Sequence, residues 1–220
     1  MRTDSSHSCA IRGRAHDLAV TPRFRSSLID VPADAGIQDV FRQLANDASR
    51  TAAVAEEVAT AAQQGRKVLV LTERTEHVNA IANALGELEP APFVLHGRMS
   101  KKQRATVIEQ LSNLPGEAPR VLVATGKLIG EGFDHPALDT MVLAMSISWR
   151  GTLQQYAGRL HREHTTKTDV GIIDFVDAGH PALLRMWDKR QRGYRGMGYR
   201  VLAEFDSLRS DAPMMHTAKK

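Results

Sequence analysis

Cysteine and long apolar runs are scarce in this 220-residue chain, and each shortage excludes a class of protein. Cys9 is the only cysteine, which excludes a disulfide framework and a cysteine-rich zinc site. No apolar run approaches the roughly 18 residues of a transmembrane helix. The first residues also lack the apolar core of a secretory signal. We therefore expect a cytoplasmic protein that makes no contact with a membrane.

The sequence also lacks the motifs of a metal site and of a dinucleotide-binding site. His161 and His164 lie close together, but no other ligand stands at a coordinating spacing, so we predict no metal site. No Gly-x-Gly-x-x-Gly run follows the first strand, which argues against a dinucleotide-binding enzyme. The chain has 29 Lys and Arg against 25 Asp and Glu, a net charge of +4. This mild basic excess permits a nucleic-acid or phosphate partner without requiring one.

The hydrophobic pattern divides the chain into five parts. Residues 1–33 show no period, and we interpret them as a flexible arm. Residues 34–64 carry two helical patterns, the second capped by Asp47, and are interpreted as a helical connector. Residues 65–177 form the main domain, residues 178–200 a basic helical extension, and residues 201–220 a tail.

The main domain alternates apolar runs with amphipathic segments. The runs are continuous, as in strands buried on both faces of a parallel sheet; they are Val68–Leu71, Phe93–Leu95, Val121–Ala124, Met141–Met145 and Gly171–Val176. This alternation predicts an α/β fold with a doubly wound parallel sheet. Because such sheets bind ligands at the carboxyl ends of their strands, the loops that follow the runs are the places to search.

The segment 152–162 predicts a helix with two distinct faces. At 100° per residue, Gln155, Arg159 and Arg162 share one face with Gly158, while apolar residues occupy the other. Two guanidiniums on a rigid face suit phosphate oxygens, which they bind bidentately. A glycine inside a helix costs about 1 kcal/mol, and the close approach of a ligand or backbone would offset that cost.

The loop 124–139 begins where the run Val121–Ala124 ends. Its three glycines permit backbone shapes whose amides can bind phosphate. Lys127 in this loop could contact phosphate or be solvated, and Asp134 could have a site role or cap a turn before Pro136. The sequence of the loop leaves both alternatives open for Lys127 and for Asp134.

Together these segments resemble the C-terminal RecA-like lobe of superfamily 2 helicases of the DEAD/DEAH type. Gln155-x-x-Gly158-Arg159-x-x-Arg162 is similar to motif VI, and Thr125 followed by Glu131-Gly132-x-Asp134 is similar to motif V. Residues 68–77 resemble motif IV and its helix. The run from Gln154 to Arg162 resembles motif VI of helicases allied to restriction-enzyme motors and defence systems.

The resemblance implies a role for each matching residue. Arg162 would be an arginine finger for ATP, with Arg159 beside it on the phosphates. Gln155 and Gly158 would support the fingers, and Gly132 and Asp134 would lie near the ribose or the interlobe contacts. The implied contacts to a DNA or RNA backbone are Thr125, Lys127, Arg98, His96 and Arg74. For Arg98 an ordinary surface charge is an equal alternative.

A helicase motor also needs a first lobe, which holds ATP and Mg²⁺. The only Gly-Lys pair, Gly126-Lys127, precedes a leucine and has no glycine at the P-loop spacing. The resemblance therefore covers residues 65–177 as a second lobe. We expect a helicase or translocase lobe that hydrolyses ATP only with a P-loop lobe, in trans or in a longer chain. The alternative is a non-catalytic nucleic-acid-binding or partner-docking module derived from a helicase.

Overall fold

A computed structural model describes residues 17–26, 31, 36–130, 133–147, 152–162, 164 and 167–203. In this part of the chain strands and helices alternate. The strands are β1 (Asp17–Arg25), β2 (Lys67–Thr72), β3 (Phe93–Leu95), β4 (Arg120–Thr125), β5 (Thr140–Leu143), β6 (Asp169–Asp177) and β7 (Arg200–Val201). The helices are α1 (Ile37–Asn46), α2 (Ala48–Gln63), α3 (Thr75–Ala84), α4 (Lys101–Ser112), α5 (Gly126–Gly130), α6 (Thr152–Leu160) and α7 (Pro181–Gly196).

All of these strands join one parallel sheet in the order β3-β4-β2-β5-β6-β1-β7. The predicted doubly wound α/β fold is confirmed, and each of the five apolar runs forms a strand. Every residue of the central strands β2 and β4 is buried, which explains why the runs within them, Val68–Leu71 and Val121–Ala124, are continuously apolar rather than alternating.

Helices cover both faces of the sheet because successive strand residues point in opposite directions. Leu69 and Leu71 of β2 pack on one side with apolar residues of α4, α5, α6 and α7. Val68 and Val70 pack on the other side with residues of α2 and α3. None of the described helices is long and apolar enough to cross a membrane.

Local sequence explains where two of the helices begin. Asp47 accepts a hydrogen bond from the Arg50 backbone N–H at 3.0 Å, so α2 has its predicted cap. Ser100 and Gln103 form a reciprocal capping box at the start of α4. The second cap matters for the site because it fixes how the chain leaves β3.

The interpretation of residues 1–33 as a flexible arm is wrong for residues 17–25. These form β1, which pairs with β6 along nine residues and with β7 on its other side. Only Val20 and Pro22 of β1 are buried, and the proline and neighbouring arginines interrupt the apolar run. The pattern was therefore too weak to predict a strand. The rest of the proposed arm, apart from Ser26 and Val31, lies outside the described residues.

The connector and the extension also belong to the core of the domain. Val54 and Val58 of α2 are fully buried against the sheet, so α2 is not a separate connector. Trp187 and Tyr194 of α7 pack into the opposite face, beneath the predicted basic surface. Of the predicted tail, only residues 201–203 lie within the described part, and Val201 pairs in β7.

Two fully buried ion pairs attach these helices to β6. Arg50 of α2 binds Asp177 through Nε at 3.1 Å and Nη2 at 3.0 Å. Arg190 of α7 binds Asp174 through Nε at 2.7 Å and Nη2 at 3.0 Å. Both pairs have no solvent exposure, so each arginine satisfies a charge that would otherwise be isolated in the core.

A buried histidine makes the fold sensitive to acid. Burial, together with the charge of Arg50, lowers the pKa of His77 from 6.5 to about 3. The folded state therefore binds fewer protons than the unfolded state between these values, and stability is lost as the pH falls through this window. We expect a loss of about 2 kcal/mol between pH 7 and pH 5 from this group.

Chemical denaturation of the wild type and His77→Asn at both pH values measures this effect. Asparagine keeps a polar partner for Thr72 Oγ1, which lies 2.9 Å from His77 Nδ1, but does not titrate. The variant should be less stable at pH 7 and should lose about 2 kcal/mol less on acidification than the wild type. An equal loss in both proteins would contradict the assignment to His77.

Candidate functional site

The predicted site residues lie around the carboxyl edge of the sheet, where β2, β3, β4 and β5 all end. Because these strands are parallel, the loops that follow them open on the same edge. The residues gather in two places. We call them the finger cluster, which contains Arg159, Arg162 and Asp134, and the arginine groove, which contains Arg74 and Arg98.

Helix α6 carries Arg159 and leads into the turn that contains Arg162, and its apolar face is packed into the core. Leu153, Tyr156 and Leu160 are at most 1% exposed, which confirms the predicted apolar face. Gln155 and Gly158 are exposed on the opposite side. The helix ends at Leu160, so Arg162 lies in the turn beyond it rather than on the helix itself.

Both arginines contact the loop that resembles motif V. Arg162 Nη1 lies 2.6 Å from Asp134 Oδ2, and Arg159 Nη1 donates a hydrogen bond to the Phe133 carbonyl. The two segments that the sequence singled out are therefore in direct contact. Asp134 acts as an ion-pair partner here, which decides against the turn cap as its only role.

The Arg162–Asp134 pair is weak enough to exchange. The Arg162 side chain is 55% exposed and the Asp134 side chain 35% exposed. Exposed pairs of this kind contribute about 0–1 kcal/mol. A phosphate offers the same guanidinium a bidentate, doubly charged partner, so the exchange of Asp134 for phosphate favours the phosphate.

Two buried residues that sequence reasoning missed hold the segment around Arg162. Lys167 is 5% exposed, and its Nζ donates to the Leu160 carbonyl at 2.8 Å and the Arg162 carbonyl at 3.0 Å. Tyr199 Oη lies 2.8 Å from His161 Nε2, with the two rings stacked at 5.3 Å. Burial lowers the pKa of Lys167 to about 8. No sequence signal marks either residue, because both contacts arise from tertiary folding.

Gly126, the first residue of α5, lies where neighbouring side chains leave no room for a Cβ. A Cβ at this position would collide with the Tyr156 hydroxyl and lie 2.8 Å from Glu73 Oε1. Gly158 differs, since a Cβ there would meet no atom of the described chain within 4 Å. The close approach expected at Gly158 is therefore not supplied by the described residues.

These two glycines give a matched pair of predictions. Gly126→Ala should destabilise the chain by about 1–3 kcal/mol, because Tyr156 and Glu73 must move. Gly158→Ala should stabilise it by about 0.5–1 kcal/mol, because alanine is the better helix former and finds open space. Thermal unfolding of both variants measures the difference, and an equal change of Tm in the same direction would contradict the geometry.

The arginine groove has a volume of about 760 Å³ and lies beside the end of β2. Arg98 Nη2 pairs with Glu76 Oε1 at 2.7 Å, and Arg74 Nη2 donates to the Gln38 carbonyl at 2.8 Å. An apolar floor comes from three separate elements and includes Ile37, Phe41, Ile147 and Met186. The groove therefore combines cations at its rim with a surface that can hold a flat apolar group.

The remaining predicted residues lie near these two clusters in different environments. Thr125 ends β4 and is 8% exposed, whereas Lys127 is exposed on α5. His96 is half-buried after β3, where its backbone N–H donates to Met99 Sδ at 3.5 Å. Gly132 lies outside the described residues.

The chemistry of the finger cluster fits a nucleotide phosphate. Two guanidiniums at the carboxyl edge of the sheet, one of them largely exposed, match the charge of phosphate oxygens. Within the described residues no group of three or more His, Cys, Asp or Glu side chains could hold a metal ion.

Sequence comparison identifies related proteins. A model of the helicase conserved C-terminal domain matches residues 49–164. Over 138 residues the chain is 26% identical to a protein named as a probable helicase of Escherichia phage T5, which corresponds to 63% of this chain and 30% of that protein. The matched region is therefore less than a third of the phage protein.

Solved structures share the fold. T4 UvsW superposes with a TM-score of 0.65 and 18% identity, over 84% of this chain and 41% of that one. The C-terminal domain of the DEAD-box protein Dbp5 superposes with a TM-score of 0.58 and 13% identity, over 90% of this chain and 98% of that one. Both comparisons place the described chain in the RecA-like fold of helicase C-terminal lobes.

Proposed function

Because the chain belongs to the helicase conserved C-terminal domain family, we propose that it is the second RecA-like lobe of an ATP-dependent nucleic-acid helicase or translocase. The observation that carries this proposal is the finger cluster. Its arginines lie on the carboxyl edge of the sheet, and the Arg162 side chain forms an exposed ion pair with Asp134. We place its action in the cytoplasm, in the group of motors related to restriction enzymes and defence systems.

The side chains of this lobe act on a nucleotide that a P-loop lobe holds. ATP supplies the phosphoryl group, on whose oxygens negative charge must be balanced during transfer. Arg162 leaves Asp134 and places its guanidinium against the γ-phosphate. Arg159 binds beside it, steadied by its hydrogen bond to the Phe133 carbonyl. Lys167 fixes the backbone from which Arg162 extends.

The arginine groove supplies the contacts to nucleic acid. Arg74 and Arg98 bind the phosphates of a DNA or RNA strand at the groove rim, and His96 after β3 and Lys127 on α5 add further contacts to the strand. Thr125 is 8% exposed in the free lobe. Its contact with the nucleic-acid backbone therefore requires neighbouring residues to move. Closure of the two lobes on ATP then shifts this lobe along the strand, and hydrolysis releases it.

The alternative is a binding or docking module that no longer couples to ATP. Such a module would use the cations at the rim of the arginine groove, Arg74 and Arg98, but not the finger cluster. Both functions require nucleic-acid or partner binding, but only the motor uses the arginine pair on phosphate. ATP turnover therefore separates them.

The test is ATPase activity of the purified chain, alone and mixed with a P-loop lobe from the same or a neighbouring reading frame. We expect no turnover by the chain alone. The mixture should hydrolyse ATP, and single-stranded nucleic acid should stimulate it. Turnover by the pure chain would overturn the proposal, and a silent mixture with retained nucleic-acid binding would favour the module.

A further inference from the structure

Helix α7 presents a row of cations that the finger cluster and the arginine groove do not use. Arg185, Lys189 and Arg192 are all exposed and lie four and three residues apart, so they share one face. We call this row the α7 stripe. The opposite face of the helix is buried and includes Trp187 and Tyr194. The buried face therefore packs α7 onto the domain, and the stripe faces solvent.

Two exposed arginines elsewhere on the lobe have ion-pair partners, whereas the stripe residues have none among the described residues. Arg98 and Arg200 form ion pairs of 2.7 Å with Glu76 and Asp17. Among residues 17–203, as far as they are described, no carboxylate lies within ion-pair distance of any stripe residue. Asp188 is three residues from Arg185 and four from Arg192, yet it pairs with neither.

Like charges at this spacing weaken a helix by a few tenths of a kcal/mol per pair. Asp188 lies beside them on α7 but forms an ion pair with none of them. An anionic ligand with a repeated charge would remove the repulsion. The stripe rises about 10 Å from Arg185 to Arg192, which is the length of roughly three phosphates of one stacked strand.

A cleft between α6 and α7 adjoins the stripe. It has a volume of about 380 Å³, and Lys189 and Arg192 line it together with Gln154 of α6. Gly196 forms part of the lining, and a Cβ there would meet no atom of the described chain within 4 Å. Backbone on this side is therefore open to close approach by a ligand.

The stripe begins where the arginine groove ends. Met186, the neighbour of Arg185, lines the groove together with Arg74 and Arg98. A strand that continues from the groove rim onto α7 would pass the carboxylates of Glu73 and Glu76 in the groove and of Asp188 beside the stripe. The first residue of the stripe is thus one position away from a residue that lines the groove.

We propose that the α7 stripe binds the sugar-phosphate backbone of the same strand beyond the arginine groove. This inference rests on the proposed function, since it assumes that the groove holds nucleic acid. It adds a consequence: Gln154 lies next to Gln155 on α6, so the strand on α7 touches the helix that carries the finger cluster.

The test uses the full chain and fluorescence anisotropy with single-stranded oligonucleotides of two lengths, about 5 and about 15 nucleotides. The triple variant Arg185→Ala/Lys189→Ala/Arg192→Ala should bind the short oligonucleotide within twofold of the wild type. It should bind the long one about 100-fold more weakly near 0.1 M salt. The slope of log K against log salt for the long oligonucleotide should fall by about 2.

A matched control removes three charges elsewhere. Arg42→Ala/Lys102→Ala/Arg200→Ala has the same net charge as the stripe variant, and all three side chains are exposed on elements other than α7. Its long-oligonucleotide affinity should stay close to that of the wild type. Equal weakening by both triple variants would mean that net charge alone acts, and would overturn the proposal.

Variants of the groove separate this inference from the proposed function. Arg74→Ala/Arg98→Ala should weaken binding of both lengths. If that variant has no effect while the stripe variant does, the stripe stands and the groove assignment falls. If the stripe variant binds both lengths like the wild type, or if the chain binds neither length, the stripe is not a nucleic-acid site.

Discussion

Replacement of Arg162 by alanine is expected to reduce ATP turnover of the assembled motor by about 10³- to 10⁵-fold. The free chain should lose almost nothing in stability, because Arg162 is 55% exposed and its ion pair to Asp134 contributes about 0–1 kcal/mol. The effect on turnover is large because the guanidinium meets charge that develops only during phosphoryl transfer, in a site that excludes water. Steady-state ATPase of the mixture, with KM and kcat measured separately, gives the result.

The neighbouring variants sharpen this prediction. Arg162→Lys keeps the charge but loses the bidentate fork, so turnover should remain well below that of the wild type. Asp134→Ala removes the partner that holds Arg162 in the free lobe and should leave far more activity than Arg162→Ala. If Arg162→Ala retained wild-type kcat, the arginine would not act on the phosphate.

Replacement of Arg190 by methionine is expected to destabilise the fold by about 3–5 kcal/mol. The Asp174 carboxylate receives two hydrogen bonds from Arg190 and a third from Tyr194 Oη at 2.8 Å, and Arg190 and Asp174 are fully buried. Methionine fills similar space but leaves the carboxylate isolated in the core. Since a domain of this kind has about 5–15 kcal/mol of total stability, denaturation should occur at much lower denaturant concentration.

A double variant and a surface variant serve as controls for the buried pair. Arg190→Met/Asp174→Leu removes both charges and should recover much of the loss, because no unpaired charge remains. Arg200→Met breaks an exposed pair with Asp17 and should change stability by about 0–1 kcal/mol. Equal losses in the single and double core variants would show that packing, rather than the isolated carboxylate, sets the cost.

The hydrophobic pattern of the sequence predicted the strands that are buried along their whole length. Strands β2 and β4 are buried on both faces, so their apolar runs are unbroken and easily found. β1 was missed because it buries only Val20 and Pro22 and owes its place to pairing with β6. Backbone pairing leaves little trace in side-chain pattern, so a strand of this kind cannot be seen from sequence alone.

Some features of the candidate site could also be predicted from the sequence, and others could not. The spacing of Gln155, Gly158 and Arg159 on a helix predicted their shared face, whereas Arg162, predicted on the same face, lies in the turn beyond the helix because α6 ends at Leu160. The contact of Arg162 with Asp134, and the support of Arg162 by Lys167, could not be predicted because they join separate segments through turns. The floor of the arginine groove likewise combines α1 and α7, which are remote in sequence.

The most direct test of the central claim measures binding between this chain and its P-loop lobe. Isothermal titration calorimetry would compare ADP alone with ADP and aluminium fluoride, which mimics the transferring phosphoryl group. The account predicts that aluminium fluoride tightens the association of the wild-type lobes and that Arg162→Ala abolishes this gain. An affinity that is the same with and without aluminium fluoride, or a gain that Arg162→Ala retains, would contradict the assignment of Arg162 to the nucleotide.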